Sequence, residues 1–115
     1  MKQLALIIAG VFLLQAHGFA NHATCNVPKC IQKLIKQYKS KPKQEPATTI
    51  YEYEYNGAKV YYVTAPCCDQ MGMLYDAKCN LLCHPDGGIT GTGDGKCADF
   101  NSTKTNEVLI WKDDR

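Results

Sequence analysis

Seven cysteines in a chain of 115 residues are the feature that most constrains the fold. All of them follow the first twenty residues, at positions 25, 30, 67, 68, 79, 83 and 97. A domain of about 95 residues buries only some 60–70% of the surface that its unfolded chain exposes, and exported domains of that size commonly add disulfides. We therefore expect residues 21–115 to form one small cysteine-rich domain that is braced by disulfides.

Residues 1–20 have the features of a signal peptide. Lys2 precedes an eleven-residue apolar run at 4–14, and Gly18 and Ala20 supply small residues at the −3 and −1 positions. The run is well short of the roughly 20 residues that a membrane-spanning helix needs. We expect cleavage between Ala20 and Asn21, a secreted protein (extracellular or periplasmic), and no transmembrane segment.

An amphipathic helix is predicted over residues 28–39. Pro28 occupies a favourable starting position, and apolar residues recur at helical spacing, at Ile31, Leu34, Ile35 and Tyr38. Lysines occupy the opposite side, and a proline-containing linker follows at 40–49. A basic segment can bind polyanions, but the alternation with apolar residues favours a solvated helix face. No nucleic-acid partner is expected.

A β-hairpin is predicted over residues 50–63 because two β-prone runs flank Asn56-Gly57, a pair favoured in type I′ turns. A two-residue turn places Tyr55 opposite Ala58, and Glu54 opposite Lys59 as a charge pair. One face then carries Tyr51, Tyr53, Tyr55, Val60 and Tyr62, and the other carries Glu52, Glu54, Lys59 and Tyr61. Such a tyrosine face can bind sugars or nucleic acids, but we expect it to be core, covered by the helix.

The rest of the chain is predicted to complete an antiparallel sheet. Within the cysteine- and glycine-rich region 66–100, the pairs 74–75 and 81–82 are expected to form short strands around a turn at 76–80, and the last strand is predicted at 107–112. The fold class is therefore α+β: a small antiparallel sheet with one N-terminal amphipathic helix.

The glycine-rich segment 83–97 raises the question of a calcium site. Asp86, Asp94 and Asp99 offer hard oxygen ligands, but their spacing matches neither the EF-hand nor the nonapeptide repeat. Asp86-Gly87 and Asp94-Gly95 are also ordinary turn pairs. We prefer two turns joined by a flexible span and closed by disulfides at Cys83, Cys97 or both. The cysteine spacings match no established zinc or copper site, and no cofactor is expected.

The residues of the chain do not indicate an enzyme. After the signal segment the histidines are His22 and His84, and neither lies in a motif that pairs a nucleophile with a base. The glycines precede no Lys-Ser/Thr pair of a phosphate-binding loop. Because a bond between Cys67 and Cys68 closes a strained small ring, we expect each of them to pair with a different segment.

The sequence resembles the bacterial exported proteins grouped as domain of unknown function 6970. The resemblance runs from about residue 29 to 115 and rests on P-C-C-D, L-Y-D, C-N-x-x-C-x-P-D-G-G and G-x-G-D-G-x-C-x-D-F, which start at 66, 74, 79 and 91. Members are exported, many as lipoproteins, and no activity is assigned to them. The resemblance matches six cysteines that would form three disulfides: Cys30, Cys67, Cys68, Cys79, Cys83 and Cys97.

Cys25 falls outside that pattern. Lipoprotein members acylate an N-terminal cysteine, but here His22, Ala23 and Thr24 replace the small-residue box that precedes it. Three roles stay open for Cys25: a free thiol, an intermolecular disulfide, or a partner that displaces one of the six.

Together these observations indicate a non-enzymatic binding or interaction module. We expect it to use exposed loops around 67–68 and 84–96, with an unknown protein or surface ligand as its partner. A calcium-stabilised form of the module is one alternative. A small secreted protease inhibitor is another, against which the flexibility of a glycine-rich loop counts.

Overall fold

The computed structural model describes residues 26–115, so the expected cleavage site at Ala20 and Asn21 and the unmatched Cys25 lie outside the described residues. Helix α1 (Lys29–Lys39) begins after Pro28, whose carbonyl accepts the N–H of Ile31 at 2.9 Å. It ends where the hydroxyl of Ser40 donates to the carbonyl of Gln37 at 2.7 Å. The helix is therefore the one predicted from the apolar spacing, with the same last residue.

Five strands form one antiparallel sheet, which confirms the α+β fold class. The strands lie in the order β4-β3-β2-β1-β5. A short helix, α2 (Phe100–Thr103), precedes the last strand and was not predicted. The strand bounds are β1 (Thr49–Tyr55), β2 (Ala58–Val63), β3 (Met73–Asp76), β4 (Leu81–Cys83) and β5 (Thr105–Lys112).

The hairpin of β1 and β2 has the predicted register, from Tyr55 opposite Ala58 to Tyr51 opposite Tyr62. Asn56 and Gly57 both have positive φ, 50° and 75°, as a type I′ turn requires. The predicted charge pair is different: Lys59 lies 3.5 Å from Glu52, diagonally across the hairpin, instead of pairing with Glu54. Glu52 is buried, and a buried carboxylate gains more from a nearby cation than an exposed one does.

The order of the strands explains what covers each face of the sheet. β1 to β4 follow one another as neighbours, but β5 pairs with β1, at the edge opposite β4. The connection from β4 to β5, residues 84–104, therefore crosses the sheet, and α2 lies within it. Helix α1 covers the other face, where Ile31 packs with Ile50, Tyr61 and Val63.

Two cores result, one on each side of the sheet. The tyrosine-face core lies under the crossing connection and consists of Tyr53, Val60, Leu74, Cys83, Cys97 and Phe100, with Tyr51, Tyr55 and Tyr62 packed against it. The helix-face core lies under α1 and is built on Ile31, Ile50, Tyr61 and Val63.

The prediction that the N-terminal helix covers the tyrosine face is thus wrong. Phe100 of α2 covers that face: it is fully buried, and its ring centroid lies 5.3 to 5.9 Å from those of Tyr53, Tyr55 and Tyr62. The physical reason is the crossing connection, which occupies this face and leaves the other face to α1. The tyrosines belong to a core, as expected, but α2 covers them instead of α1.

Three disulfides join the six cysteines of residues 26–115. Cys30 of α1 is bonded to Cys79 in the turn between β3 and β4, and Cys83 is bonded to Cys97 across the glycine-rich loop. The third bond joins the neighbours Cys67 and Cys68. The expectation that these two pair with different segments is therefore wrong: the other four cysteines belong to the two cores, where each already has a partner.

Candidate functional site

The loop after β2 and the glycine-rich loop after β4, both expected to be exposed interaction elements, lie side by side. The N–H of Gly88 donates to the carbonyl of Gln70 at 3.3 Å, and the N–H of Gly72 donates to the carbonyl of Asp86 at 3.2 Å. Met71 and Gly87 pair in an antiparallel bridge between these bonds. Residues 67–72 and 84–93 therefore form one continuous feature, which we name the joined-loop surface.

The glycine-rich part of this surface is a set of nested turns. The N–H of Gly91 donates to the carbonyl of Gly88 at 3.2 Å, and the N–H groups of Gly87 and Gly93 donate to the carbonyls of Gly91 and Gly87 at 3.2 and 3.0 Å. The span between the two expected turns thus has hydrogen bonds of its own. They hold the tip of the loop, residues 88–91, in one shape.

Gly93 shows why glycine is needed at the base of the loop. Its φ is +66°, a conformation that other L-residues rarely adopt. A Cβ built there would overlap the carbonyl oxygen of His84 and the amide nitrogen of Asp86. The loop can therefore fold back on itself only because this residue has no side chain.

Three tyrosine hydroxyls fasten the crossing connection and β5 to the sheet. Tyr62 donates to Asp86 at 2.6 Å. Tyr55 donates to Asp99 at 2.5 Å, and Tyr53 donates to Glu107 at 2.5 Å. A hydroxyl bonded to a carboxylate makes a short, charge-assisted hydrogen bond. The tyrosine face therefore fastens the crossing connection and β5 by its hydroxyls as well as by its rings, and Tyr62 bonds the joined-loop surface itself.

These contacts change the acidities of the groups involved. Burial, and then the hydrogen bond to Asp86, raises the pKa of Tyr62 far above its ordinary value of 10.0. Burial and the bond to Glu107 act likewise on the pKa of Tyr53. The backbone N–H of Lys96, together with that of His84, lowers the pKa of Asp94. All three groups are therefore fixed near neutral pH as protonated phenols and an ionised carboxylate.

The calcium candidates Asp86, Asp94 and Asp99 are held by separate partners. Asp86 accepts from Tyr62 and Asp99 accepts from Tyr55. Asp94 accepts the backbone N–H groups of His84 and Lys96, each at 3.0 Å, as expected for a carboxylate that shapes a turn. Among residues 26–115 no group of three or more histidine, cysteine, aspartate or glutamate side chains is placed to hold a metal ion.

His84 and the cysteines also take structural positions. Nδ1 of His84 lies 2.8 Å from the carbonyl oxygen of Gly72 and must donate to it, because a carbonyl can only accept. The six cysteines of the described chain are all in disulfides, so within these residues His84 has no thiol to activate, and their sulfurs are not available as thiolate ligands.

Ile89, at the tip of the loop, was not nominated from the sequence. It is 91% exposed, the most exposed of the large apolar side chains in residues 26–115. Its signal in the sequence is a single aliphatic residue between Gly88 and Thr90, inside a polar, glycine-rich segment. The joined-loop surface thus presents one branched apolar side chain on its glycine-rich loop and the exposed Cys68, Asp69 and Gln70 on its other loop.

The two helices of residues 26–115 are 11 and four residues long. Neither has the length and apolar character needed to cross a bilayer.

No curated protein and no solved structure matches the chain. One family does match: the profile of the Domain of unknown function (DUF6970) covers residues 36–113. These residues include all five strands, α2 and the whole joined-loop surface. The chain, a disulfide-containing α+β domain, therefore belongs to this family of unknown function, DUF6970.

Proposed function

We propose that the protein is an exported, non-enzymatic interaction module that binds a partner protein through the joined-loop surface. The observation that carries the proposal is the union of two loops by backbone hydrogen bonds, with the almost fully exposed Ile89 at the tip. An apolar side chain on a pre-shaped turn can enter a pocket of a partner. It does so at little cost in conformational entropy.

The support of this surface agrees with such a role. The disulfide between Cys83 and Cys97 closes the glycine-rich loop at its base, where both cysteines are buried. Asp94 ties the two sides of the loop through its bonds to the N–H groups of His84 and Lys96. A loop restrained in this way keeps its shape in the free protein, which favours binding.

Export and the absence of catalysis are parts of the same proposal. Three disulfides suit an oxidising compartment, and the signal-like segment at 1–20 suits entry into it. The polar groups of the joined-loop surface that resemble catalytic ones, His84 and Asp86, are engaged in bonds that hold the loops. In the proposed module, both side chains shape the loops rather than transfer protons.

Photo-crosslinking tests the proposal. A benzophenone amino acid replaces Ile89 in one variant and Leu109, which is 57% exposed on β5, in a matched control. Each variant is irradiated with the secreted and cell-surface proteins of the source organism. We expect a discrete adduct from position 89 that excess wild-type protein suppresses and excess Ile89→Asp protein does not. Equal labelling from both positions, or none from either, would contradict the proposal.

Two further measurements separate this function from its alternatives. A rise in melting temperature with calcium chloride that Asp86→Asn abolishes would favour the calcium-stabilised module. Inhibition of a member of an extracellular protease panel that Ile89→Asp abolishes would favour the inhibitor. We expect neither, because Asp86 already bonds Tyr62 and because the turn at 88–91 uses backbone groups that a protease cleft would need for strand pairing.

A further inference from the structure

A cleft lies on the side of the sheet opposite the tyrosine-face core, between α1 and β3. It encloses a volume of about 230 Å³. This is smaller than the roughly 300–1,000 Å³ of pockets that hold drug-sized ligands. Its walls are formed by Cys30, Lys33, Leu34, Gln37, Tyr75 and Cys79.

Three polar side chains of the cleft have donors to offer. The side-chain groups of Lys33 and Gln37, one helical turn apart on α1, take part in none of the ion pairs or hydrogen bonds described for residues 26–115. The hydroxyl of Tyr75 donates to the thioether sulfur of Met73 at 3.3 Å, and a thioether is a weak acceptor. Burial raises the pKa of Tyr75, so this hydroxyl keeps its proton. An anionic oxygen would be a better acceptor for all three groups.

The helix that forms one wall of the cleft is positively charged. α1 contains four lysines and no acidic residue. The nearest acidic residue of β3, Asp76, follows Tyr75, so strand alternation directs it to the other face. Its carboxylate is also occupied by the N–H groups of Lys78 and Asn80, each at 2.9 Å. Lys33, an exposed residue in the wall of the cleft, can match one negative charge.

The remaining walls are apolar and polarizable. They consist of the side chain of Leu34, the ring of Tyr75 and the disulfide between Cys30 and Cys79. Sulfur atoms make favourable contacts with aromatic rings. We propose that this cleft binds a small aryl carboxylate, with the carboxylate on Lys33, Gln37 and Tyr75 and the ring against Leu34 and the disulfide. This site lies beyond the proposed interaction function and does not depend on it.

An NMR titration of the disulfide-bonded protein tests this site. Sodium 3-phenylpropionate is the probe, and the neutral 3-phenylpropanamide and sodium acetate are controls at the same ionic strength. We expect saturable shifts of backbone amides at 30–37 and 75–79 with a Kd in the millimolar range, as the small size of the ligand implies. The amide and acetate should each bind at least about fivefold more weakly, because the amide lacks the negative charge and acetate lacks the aromatic ring.

Matched variants separate the site from general attraction to the basic helix. Lys33→Gln should raise the Kd by about fivefold, whereas Lys36→Gln, the same change at another exposed position of α1 that does not line the cleft, should alter it by less than about twofold. Tyr75→Phe, which keeps the ring, should also weaken binding. Equal effects of the two lysine substitutions, shifts that do not saturate, or equal affinity for the neutral amide would overturn the proposal. None of these outcomes bears on the crosslinking at position 89.

Discussion

The hydroxyl of Tyr62 donates a 2.6 Å hydrogen bond to Oδ2 of Asp86, 24 residues further along the chain. Gly72 lies against both side chains, and a Cβ at that position would overlap the carboxylate of Asp86 and the ring of Tyr62. The bond therefore joins β2 to the glycine-rich loop, and the loop after β2 passes beside it with no room for a side chain. The placement of the joined-loop surface on the sheet depends on this contact.

Replacing Tyr62 with phenylalanine should lower the free energy of unfolding by about 1–2 kcal/mol at pH 7, since the carboxylate loses a donor in a half-buried setting. Urea denaturation followed by circular dichroism measures this change. Tyr55→Phe is the control: its bond to Asp99 is solvent-exposed, so its loss should cost less than about 0.5 kcal/mol. Equal losses of unfolding free energy from the two substitutions would show that the Tyr62–Asp86 bond stabilises the fold no more than the exposed Tyr55–Asp99 bond does.

Stability should fall as the pH rises above 10. The pKa values of Tyr53 and Tyr62 are raised in the folded state, so above pH 10 the unfolded chain loses these protons while the folded one retains them. The stabilisation is therefore complete below pH 10 and is lost progressively above it. Urea midpoints at pH 9 and pH 10.5, on protein alkylated to prevent thiol exchange, test this. Tyr62→Phe should show a smaller decline, and an unchanged decline would contradict the assignment.

Gly93→Ala should destabilise the protein by more than about 2 kcal/mol, because the new Cβ meets the backbone at His84 and Asp86 in addition to the cost of a positive φ. Gly95→Ala is the matched control. Gly95 also has a positive φ, +78°, but a Cβ there has nothing within 4 Å, so only the conformational cost of about 1–2 kcal/mol applies. Thermal unfolding compares the two. A Gly95→Ala loss as large as that of Gly93→Ala would contradict the close approach.

A tryptic digest without reduction tests the three disulfides. Peptide 60–78 contains both Cys67 and Cys68, and it should appear unlinked and lighter by two hydrogen atoms than after reduction. Peptide 79–96 contains both Cys79 and Cys83, so it should be linked by one disulfide to peptide 30–33 and by another to peptide 97–104. These three peptides should therefore be detected as one linked species. Mass spectrometry after alkylation of free thiols reads both results. Any link from peptide 60–78 to another peptide would overturn the pairing.

Arg115→Gln should make the protein more sensitive to acid. The guanidinium of Arg115 bonds Asp113 and lowers the pKa of that carboxyl below its ordinary value of 3.8. A lowered pKa stabilises the fold above about pH 4, and the effect is lost as the pH falls through the folded-state pKa. The difference in urea midpoint between the variant and the wild type should therefore be larger at pH 6 than at pH 2.

Part of that difference does not depend on pH, because Arg115 also donates to the carbonyls of Lys39 and Tyr38 at the end of α1. Lys112→Gln, the same change of charge at an exposed residue of β5, is the control and should leave both midpoints nearly unchanged. A variant difference that stays constant between pH 6 and pH 2 would exclude a role for Asp113.

Local signals were enough to predict the hairpin and α1. Asn56-Gly57 imposes the turn, the turn sets the register, and the register assigns every tyrosine to its face. The apolar spacing of α1 likewise needs no information from elsewhere in the chain. These are the parts of the fold in which neighbours in sequence determine the outcome.

The cover of each face could not be predicted, because both faces of the hairpin carry apolar residues that a helix can cover. Ile50 and Val63 form one such surface, and Tyr53 and Val60 form the other. The choice depends on which edge of the sheet β5 joins, a property of the whole topology. Phe100 was missed for the same reason: its four-residue helix has no periodicity, and its importance comes from the three tyrosines beneath it.

For the joined-loop surface, too, the exposure of each loop could be predicted from the local sequence, but the contact between the loops could not. The two loops were expected to be exposed, but their union depends on the bridge between Met71 and Gly87, which no local pattern specifies. The pairing of Cys67 with Cys68 also depended on distant residues, since it follows once Cys30, Cys79, Cys83 and Cys97 have partners within the cores.

The disulfide between Cys83 and Cys97 makes residues 84–96 a closed ring whose ends are fixed in the tyrosine-face core. Its tip, at Ile89 and Thr90, is exposed and contributes nothing to that core. Substitutions at the tip therefore alter what the ring displays without unpacking the sheet below. The fold separates a frame constrained by packing from a short tip constrained by its own turn, so that the side chains at the tip can vary independently of the core.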